Sequence, residues 1–243
     1  MHKRLWIILG VIASAVVLAV VLGTLFSIGK VEVNTTNDVT LTDTQKAEII
    51  ELSGIKKGKS IFSVDEDVAI KNIEVNKPPL KVISIERQFP NKVVVYVTQR
   101  TGIFSYRTED GKYAILDREL KVIDIADQED SSLTKLSGIP QENVNLGQVV
   151  DYKYGVLVNM IKGAEQCSFV QERFCTFFTA VEVSDNVINL KTNSGVVMQL
   201  PIASNIDEAL QYCYSFYLNK LSVTGRSCGI IIYTNDGWKW ELQ

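Results

Sequence analysis

Ile85-Glu86-Arg87-Gln88-Phe89-Pro90-Asn91-Lys92-Val93-Val94-Val95-Tyr96-Val97 is the stretch whose reading decides the fold. Val93–Val97 is β-branched and continuous, the strongest strand signal in the chain. Val82–Ile85 starts the strand before it. Phe89-Pro90-Asn91 turns the chain between them, and Pro90 removes only a backbone donor that such a turn does not need. Upstream, Val64, Val68, Ala69, Ile70 and Ile73 form the inward stripe of a helix that stops before Pro78-Pro79. Ser63 and Glu66 match a capping box at its start. Gly58 permits the turn before it, and Phe62 is expected to plug the core. Further upstream, Thr42 and Gln45 match another capping box. Ala47, Ile49, Ile50 and Leu52 give a second helical stripe, and Gly54 stops it. Lys30–Val33 alternates as a short strand. The order over residues 29–100 is β-α-α-β-β.

Ahead of this unit, Leu5–Ile28 holds 24 residues without one charge. As a helix they span about 36 Å, against about 30 Å of bilayer hydrocarbon. The run is too long for a signal-peptide core and offers no small-residue cleavage site at its end. A retained transmembrane helix over 5–28 is therefore expected. Lys3 and Arg4 place a cytoplasmic tail of residues 1–4 inside and the rest outside.

Residues 101–243 read as a mixed β domain with helices. Ile103–Arg107 and Tyr113–Leu116 flank Asp110-Gly111 as a hairpin. Phe177–Val183, Val187–Thr192 and Val196–Pro201 are strands. Tyr154–Gln166 and Ile206–Leu221 are helices, the latter with Leu210, Tyr214 and Tyr217 on one face. Gly229–Tyr233 and Trp238–Leu242 form a closing hairpin over Asn235-Asp236-Gly237. The fold class is thus α+β: one transmembrane helix, a β-α-α-β-β domain and a mixed β domain.

Two of these stretches resemble a known family. Gly58-Lys59-Ser60-Ile61-Phe62-Ser63-Val64-Asp65 and Ile85–Val93, with Val95–Arg100 after it, are similar to the POTRA domain of the FtsQ/DivIB bacterial cell-division proteins. Gly58, Phe62, Asp65, Arg87 and Pro90 carry the motif. Gln99 stands where the family commonly has Glu. Leu116–Ile123 resembles a hairpin of the family's β domain, with Glu119 near a usual turn glycine. Leu133–Gly138 resembles a loop of that domain without its proline. The resemblance implies a non-enzymatic divisome scaffold at the septum, bound to small bitopic partners of the FtsL and FtsB/DivIC kinds through late β-domain strands.

The composition supports that direction. The formal charge is −3 and the pI near 5.4, without the basic excess that nucleic-acid binding uses. The single histidine, His2, lies in the expected inner tail, so no Ser–His–Asp set and no histidine metal site forms outside. No phosphate loop, metal cluster, cofactor motif or small-molecule site is legible. Cys167, Cys175, Cys213 and Cys228 lack C-x-x-C spacing and admit three pairings or none. Ser132-Leu133-Thr134-Lys135, Ser184-Asp185-Asn186 and Lys191-Thr192-Asn193 imitate the three motifs of serine penicillin-binding enzymes. The third lacks its glycine, and the second and third sit too close in sequence. A cell-wall enzyme and a POTRA-type substrate chaperone are the alternative functions.

The last strand is expected at a sheet edge, where a partner segment can add by backbone hydrogen bonds. Ile231, Tyr233, Trp238, Trp240 and Leu242 alternate there as candidate contacts. Either face of that strand can point inward. Trp240→Ala in a soluble 29–243 fragment is expected to weaken partner capture without unfolding it.

Overall fold

The computed structural model describes residues 2–36, 40–140, 144–150, 155–167, 174–202, 205–222, 228–234 and 237–242. Side chains are undescribed for 2–8, 19, 222 and 234. The chain divides into two compact units, Met1–Gln99 and Arg100–Gln243.

In the first unit, helix α1 runs His2–Leu25. Its described apolar side chains, among them Leu9, Val16, Val20 and Leu22, are exposed. Among the described residues no helix is long and apolar enough to cross a membrane. Within the expected span over 5–28, the side chains of 5–8 and 19 are undescribed.

Strand β1 (Lys30–Thr35) follows, then α2 (Asp43–Ser53), α3 (Glu66–Asn76), β2 (Leu80–Gln88) and β3 (Lys92–Gln99). The sheet order is β1-β3-β2, with β3 parallel to β1 and antiparallel to β2. Val93, Val95 and Val97 are fully buried beneath Ile49, Ala69 and Ile73 of the helices. The β-branched run therefore forms the floor of this core, which explains its lack of polar alternation. The Thr42–Gln45 capping box forms as expected, and Gly54 closes α2.

Three local expectations are corrected here. The cap of α3 is Asp65, whose carboxylate accepts the Val68 N–H at 3.1 Å. Ser63 instead belongs to a 3₁₀ turn, Ile61–Ser63, so no second capping box forms. Val68 is exposed at 52%, because Ala69 and Ile73 take the inward positions. Phe62 is exposed at 63%, and Ile61, fully buried, is the core plug in its place. A one-residue offset in an irregular turn carries the ring to the other side.

The second unit is one sheet of nine strands in the order β12-β11-β10-β9-β8-β7-β4-β5-β6. In chain order they are β4 (Gly102–Arg107), β5 (Tyr113–Asp117), β6 (Val122–Ala126), β7 (Thr134–Ser137), β8 (Phe178–Val183), β9 (Val187–Thr192), β10 (Val196–Pro201), β11 (Gly229–Thr234) and β12 (Gly237–Glu241). Leu133–Gly138, read as a loop, holds β7, which pairs parallel with β4 and β8 and joins the two halves of the sheet. Four residues are too few for periodicity to reveal a strand.

Helices α4 (Val156–Gln166), α5 (Phe174–Phe177) and α6 (Ile206–Phe216) cover one face. Phe177, read as the start of a strand, closes α5. Tyr154, expected in α4, lies outside the described residues. The helix expected over 206–221 is α-helical to Phe216 and continues as a π-type turn, Tyr217–Ser222. Phe174, Phe177, Phe178, Tyr214 and Tyr217 stack in the core with ring centroids 4.8–5.6 Å apart. The Leu116–Ile123 hairpin forms without a glycine. Leu120 takes the positive φ of 58° there, and its buried side chain offsets that cost.

Candidate functional site

The hairpin at the end of the chain is the candidate site. β12 is the terminal strand of the nine-stranded sheet, pairing with β11 in antiparallel register. Ile231 stands opposite Trp240, and Tyr233 opposite Trp238. Directly opposite residues share a face, so all four lie on one side of the sheet. Ile231 is fully buried in the core. Trp238 and Trp240 are half-buried and pack against it, while Tyr233 and Leu242 are exposed at 59% and 72%. The Tyr233 and Trp238 rings are 5.1 Å apart.

The structure thus decides which face of β12 points inward, and it divides the five candidates. Ile231 is core. The tryptophans are supports whose outer edges remain accessible, and Tyr233 and Leu242 are surface. The turn residues Asn235 and Asp236 lie outside the described residues.

Gly229 seats this edge. Its φ is +125°, and an added Cβ would meet the Glu241 carbonyl at 2.5 Å and the Trp240 Nε1 at 2.6 Å. No spacing rule could have shown that requirement, since Trp240 reaches Gly229 only across the hairpin.

The opposite edge of the same sheet differs. Along β6, the Val122 N–H donates to the Gln148 carbonyl and the Gly147 N–H to the Val122 carbonyl, both at 2.8 Å. Residues 147–150 therefore cover the start of that edge, at Leu120–Val122, and Asp124 is exposed further along it. In the first unit, β1 carries Glu32 against Lys30 and, at 2.5 Å, Lys92, and β2 is broken by an irregularity between Val82 and Ser84. Charged side chains and bulges blunt strand edges. Among the described residues, β12 is the edge bearing aromatic side chains, with the charged Lys239 and Glu241 on its other face.

The motif residues of the first unit converge although they lie far apart in sequence. Arg87 pairs with Glu66 and donates to the Val64 carbonyl, both at 2.9 Å, tying the end of β2 to the α3 start that Asp65 caps. Gly58, with φ +80°, donates its N–H to the Ile28 carbonyl at 2.8 Å. Pro90 lies in the β2–β3 turn, where the Asn91 carbonyl accepts the Gly29 N–H at 2.8 Å.

The enzyme-like motifs have ordinary partners. Ser132 donates to Asp130 at 2.6 Å and thereby holds that carboxyl below its usual range. Lys135 pairs with Glu129 at 2.9 Å, which raises its pKa. Ser184–Asn186 and Lys191–Asn193 lie at opposite ends of β9, on the order of 15–20 Å apart at the strand's rise. A three-motif catalytic centre needs all of them within hydrogen-bond reach of one substrate.

All four cysteines are free thiols. Cys167 and Cys213 are buried in the core, and burial pushes both thiols up. Cys175 donates to the Ile103 carbonyl at 3.2 Å, and Cys228 is exposed. Burial, with Cys167 and Tyr217 nearby, pushes the Tyr214 hydroxyl up to about 12. Among the described residues no group of acidic, histidine or cysteine side chains could hold a metal ion.

Residues 26–100 match the POTRA domain, FtsQ-type. The chain is 23% identical over 189 residues to the cell division protein DivIB of Clostridium tetani, covering 77% of this chain and 70% of that one. It is 31% identical over 127 residues to the cell division protein FtsQ of Corynebacterium glutamicum, covering 50% and 53%. It is 30% identical over 116 residues to DivIB of Clostridium acetobutylicum, covering 46% of each. The chain thus spans 70% of the first relative and about half of the other two. The major extracytoplasmic domain of DivIB from Geobacillus stearothermophilus overlaps at a TM-score of 0.30 and 10% identity, covering 50% of this chain and 94% of that one, too slight a likeness to define a fold. A POTRA domain followed by a separate β unit is the class the fold defines. The chain carries an FtsQ-type POTRA domain over residues 26–100 and is similar to the cell division proteins DivIB and FtsQ.

Proposed function

We propose that this protein is a non-enzymatic scaffold of the division machinery, held in the cell membrane by residues 5–28, with its N-terminus inside and both folded units outside. It gathers at the septum and binds small bitopic division proteins of the FtsL and FtsB/DivIC kinds through β12. The observation that carries this reading is the asymmetry of the nine-stranded sheet. One edge is met at its start by residues 147–150 and carries the exposed Asp124, and the other ends in a strand with Tyr233, Trp238, Trp240 and Leu242 on one face. An added strand there gains main-chain hydrogen bonds from β12 and aromatic contact from the accessible rims of the tryptophans. The apolar exposed helix α1 and the flanking Lys3 and Arg4 support the anchor and its orientation.

The test is imaging of an N-terminally tagged fusion in dividing cells, paired with capture of the partners on the purified chain. A septal band that requires residues 29–243, together with capture that is lost in Tyr233→Ala/Leu242→Ala, supports the reading. An even membrane rim, or full capture by the double variant, overturns it.

A further inference from the structure

Phe26, Phe62 and Phe89 come from three segments of the first unit and meet in one cluster. Their ring centroids are 5.5, 5.6 and 6.0 Å apart. Phe62 and Phe89 are 63% and 59% exposed, and Phe26 is half-buried against the core. The cluster is built on fixed backbone. The Ile61 N–H donates to the Phe26 carbonyl at 2.9 Å, Ile28 to Lys59 at 2.8 Å, and Gly29 to Asn91 at 2.8 Å. Three adjoining rings, two of them mostly in water, form a patch that folding alone does not explain.

The position of the patch names its occupant. Phe26 directly follows α1, and its N–H donates to the Leu22 carbonyl of that helix at 3.0 Å. The exposed apolar surface of α1 therefore continues through Leu25 into the cluster. Beside the cluster, the loop that contains Gly58 exposes Lys56, Lys57 and Lys59. The nearby acids are engaged elsewhere: Glu32 with Lys30 and Lys92, Asp65 as the α3 cap, and Glu66 with Arg87. Aromatic rings with a lysine rim at the end of an apolar helix have the chemistry of the bilayer headgroup region, where rings settle and ammonium groups meet anionic lipid.

We propose that Phe26, Phe62 and Phe89, with Lys56, Lys57 and Lys59, dock the POTRA domain onto an anionic lipid surface. This rests on the anchoring proposed for residues 5–28 and adds a second contact with the same membrane.

The full chain, reconstituted in vesicles of equal parts phosphatidylcholine and phosphatidylglycerol, tests it. p-Cyanophenylalanine replaces Val16, Phe62 or Val75, one at a time, and the nitrile stretch reports hydration. Val75 is an exposed control on α3, at 59%. The expected result is a shift to the lower, dehydrated frequency at positions 16 and 62, with position 75 hydrated. Position 62 should move back toward the hydrated frequency in phosphatidylcholine alone and in Lys56→Ser/Lys57→Ser/Lys59→Ser, with position 16 unchanged. A dehydrated position 16 beside a hydrated position 62 overturns docking and leaves the anchor standing. A hydrated position 16 overturns both. Drying of position 62 only in native membranes overturns the lipid in favour of a protein partner.

Discussion

Arg100 is 8% exposed and places one guanidinium nitrogen 2.5 Å from Asp117 and 2.7 Å from Glu119. Asp117, 2% exposed, also accepts the N–H groups of Glu119 and Lys121, each at 2.9 Å. Arg100 thereby holds the β5–β6 turn in which Leu120 takes its positive φ. Removing one partner of a buried pair leaves the other charge desolvated and unpaired. Arg100→Met is expected to cost about 3–5 kcal/mol, read as a lower urea midpoint at unchanged m-value. At Asp65 the stake is smaller, because one exposed cap bond is lost. Asp65→Ala should cost about 1 kcal/mol. A loss near zero would mean that the Arg87–Glu66 bridge holds the start of α3 by itself.

At the scale of elements, the β11–β12 hairpin carries the candidate interface and its own means of attachment. Trp240 packs on the core, so Trp240→Ala mixes lost packing with lost contact and is a poor probe of binding. Tyr233 and Leu242 are exposed, and Tyr233→Ala/Leu242→Ala should leave the unfolding free energy within about 0.5 kcal/mol of the parent. Gly229→Ala is expected to displace the Trp240 indole and loosen β12, seen as faster amide exchange over 237–241 while β8–β10 stay protected. Protection retained in β12 would show that the hairpin tolerates the added Cβ. The identities of these strands were readable from alternation. Their face was not, because a period of two leaves both faces equivalent until packing breaks the tie.

At the scale of the whole molecule, the two units have separate cores and respond differently to alkali. Cys213 and Tyr214 lie in the core of the second unit, and the first unit contains no cysteine. Burial raises the folded-state pKa of Cys213 above its ordinary 9.0. A raised folded pKa contributes stability that is complete below the unfolded value and is lost as pH rises through the folded one. The second unit should therefore weaken above about pH 9, before the first. Cys213→Ala should flatten that dependence while lowering the plateau through the cavity it leaves. In a Trp6→Phe background, tryptophan fluorescence reports the second unit through Trp238 and Trp240, and circular dichroism reports both. Loss of both units together at alkaline pH would count against this assignment.

The β-α-α-β-β order, the capping box at Thr42, the turn at Pro90 and the terminal hairpin are local matters. Propensity, turn chemistry and periodicity act within a few residues, and the sequence alone determined them. The family resemblance also lay in contiguous motifs. Tertiary structure decided what depends on residues distant in sequence. It joined the sheet through β7, and it covered the start of one sheet edge with residues 147–150 and left β12 at the other. It put Ile61 rather than Phe62 in the core, and so gathered Phe62 with Phe26 and Phe89 on the surface. In each case the choice between two equivalent faces or edges is made by which one the rest of the chain covers, and only the folded chain contains that information.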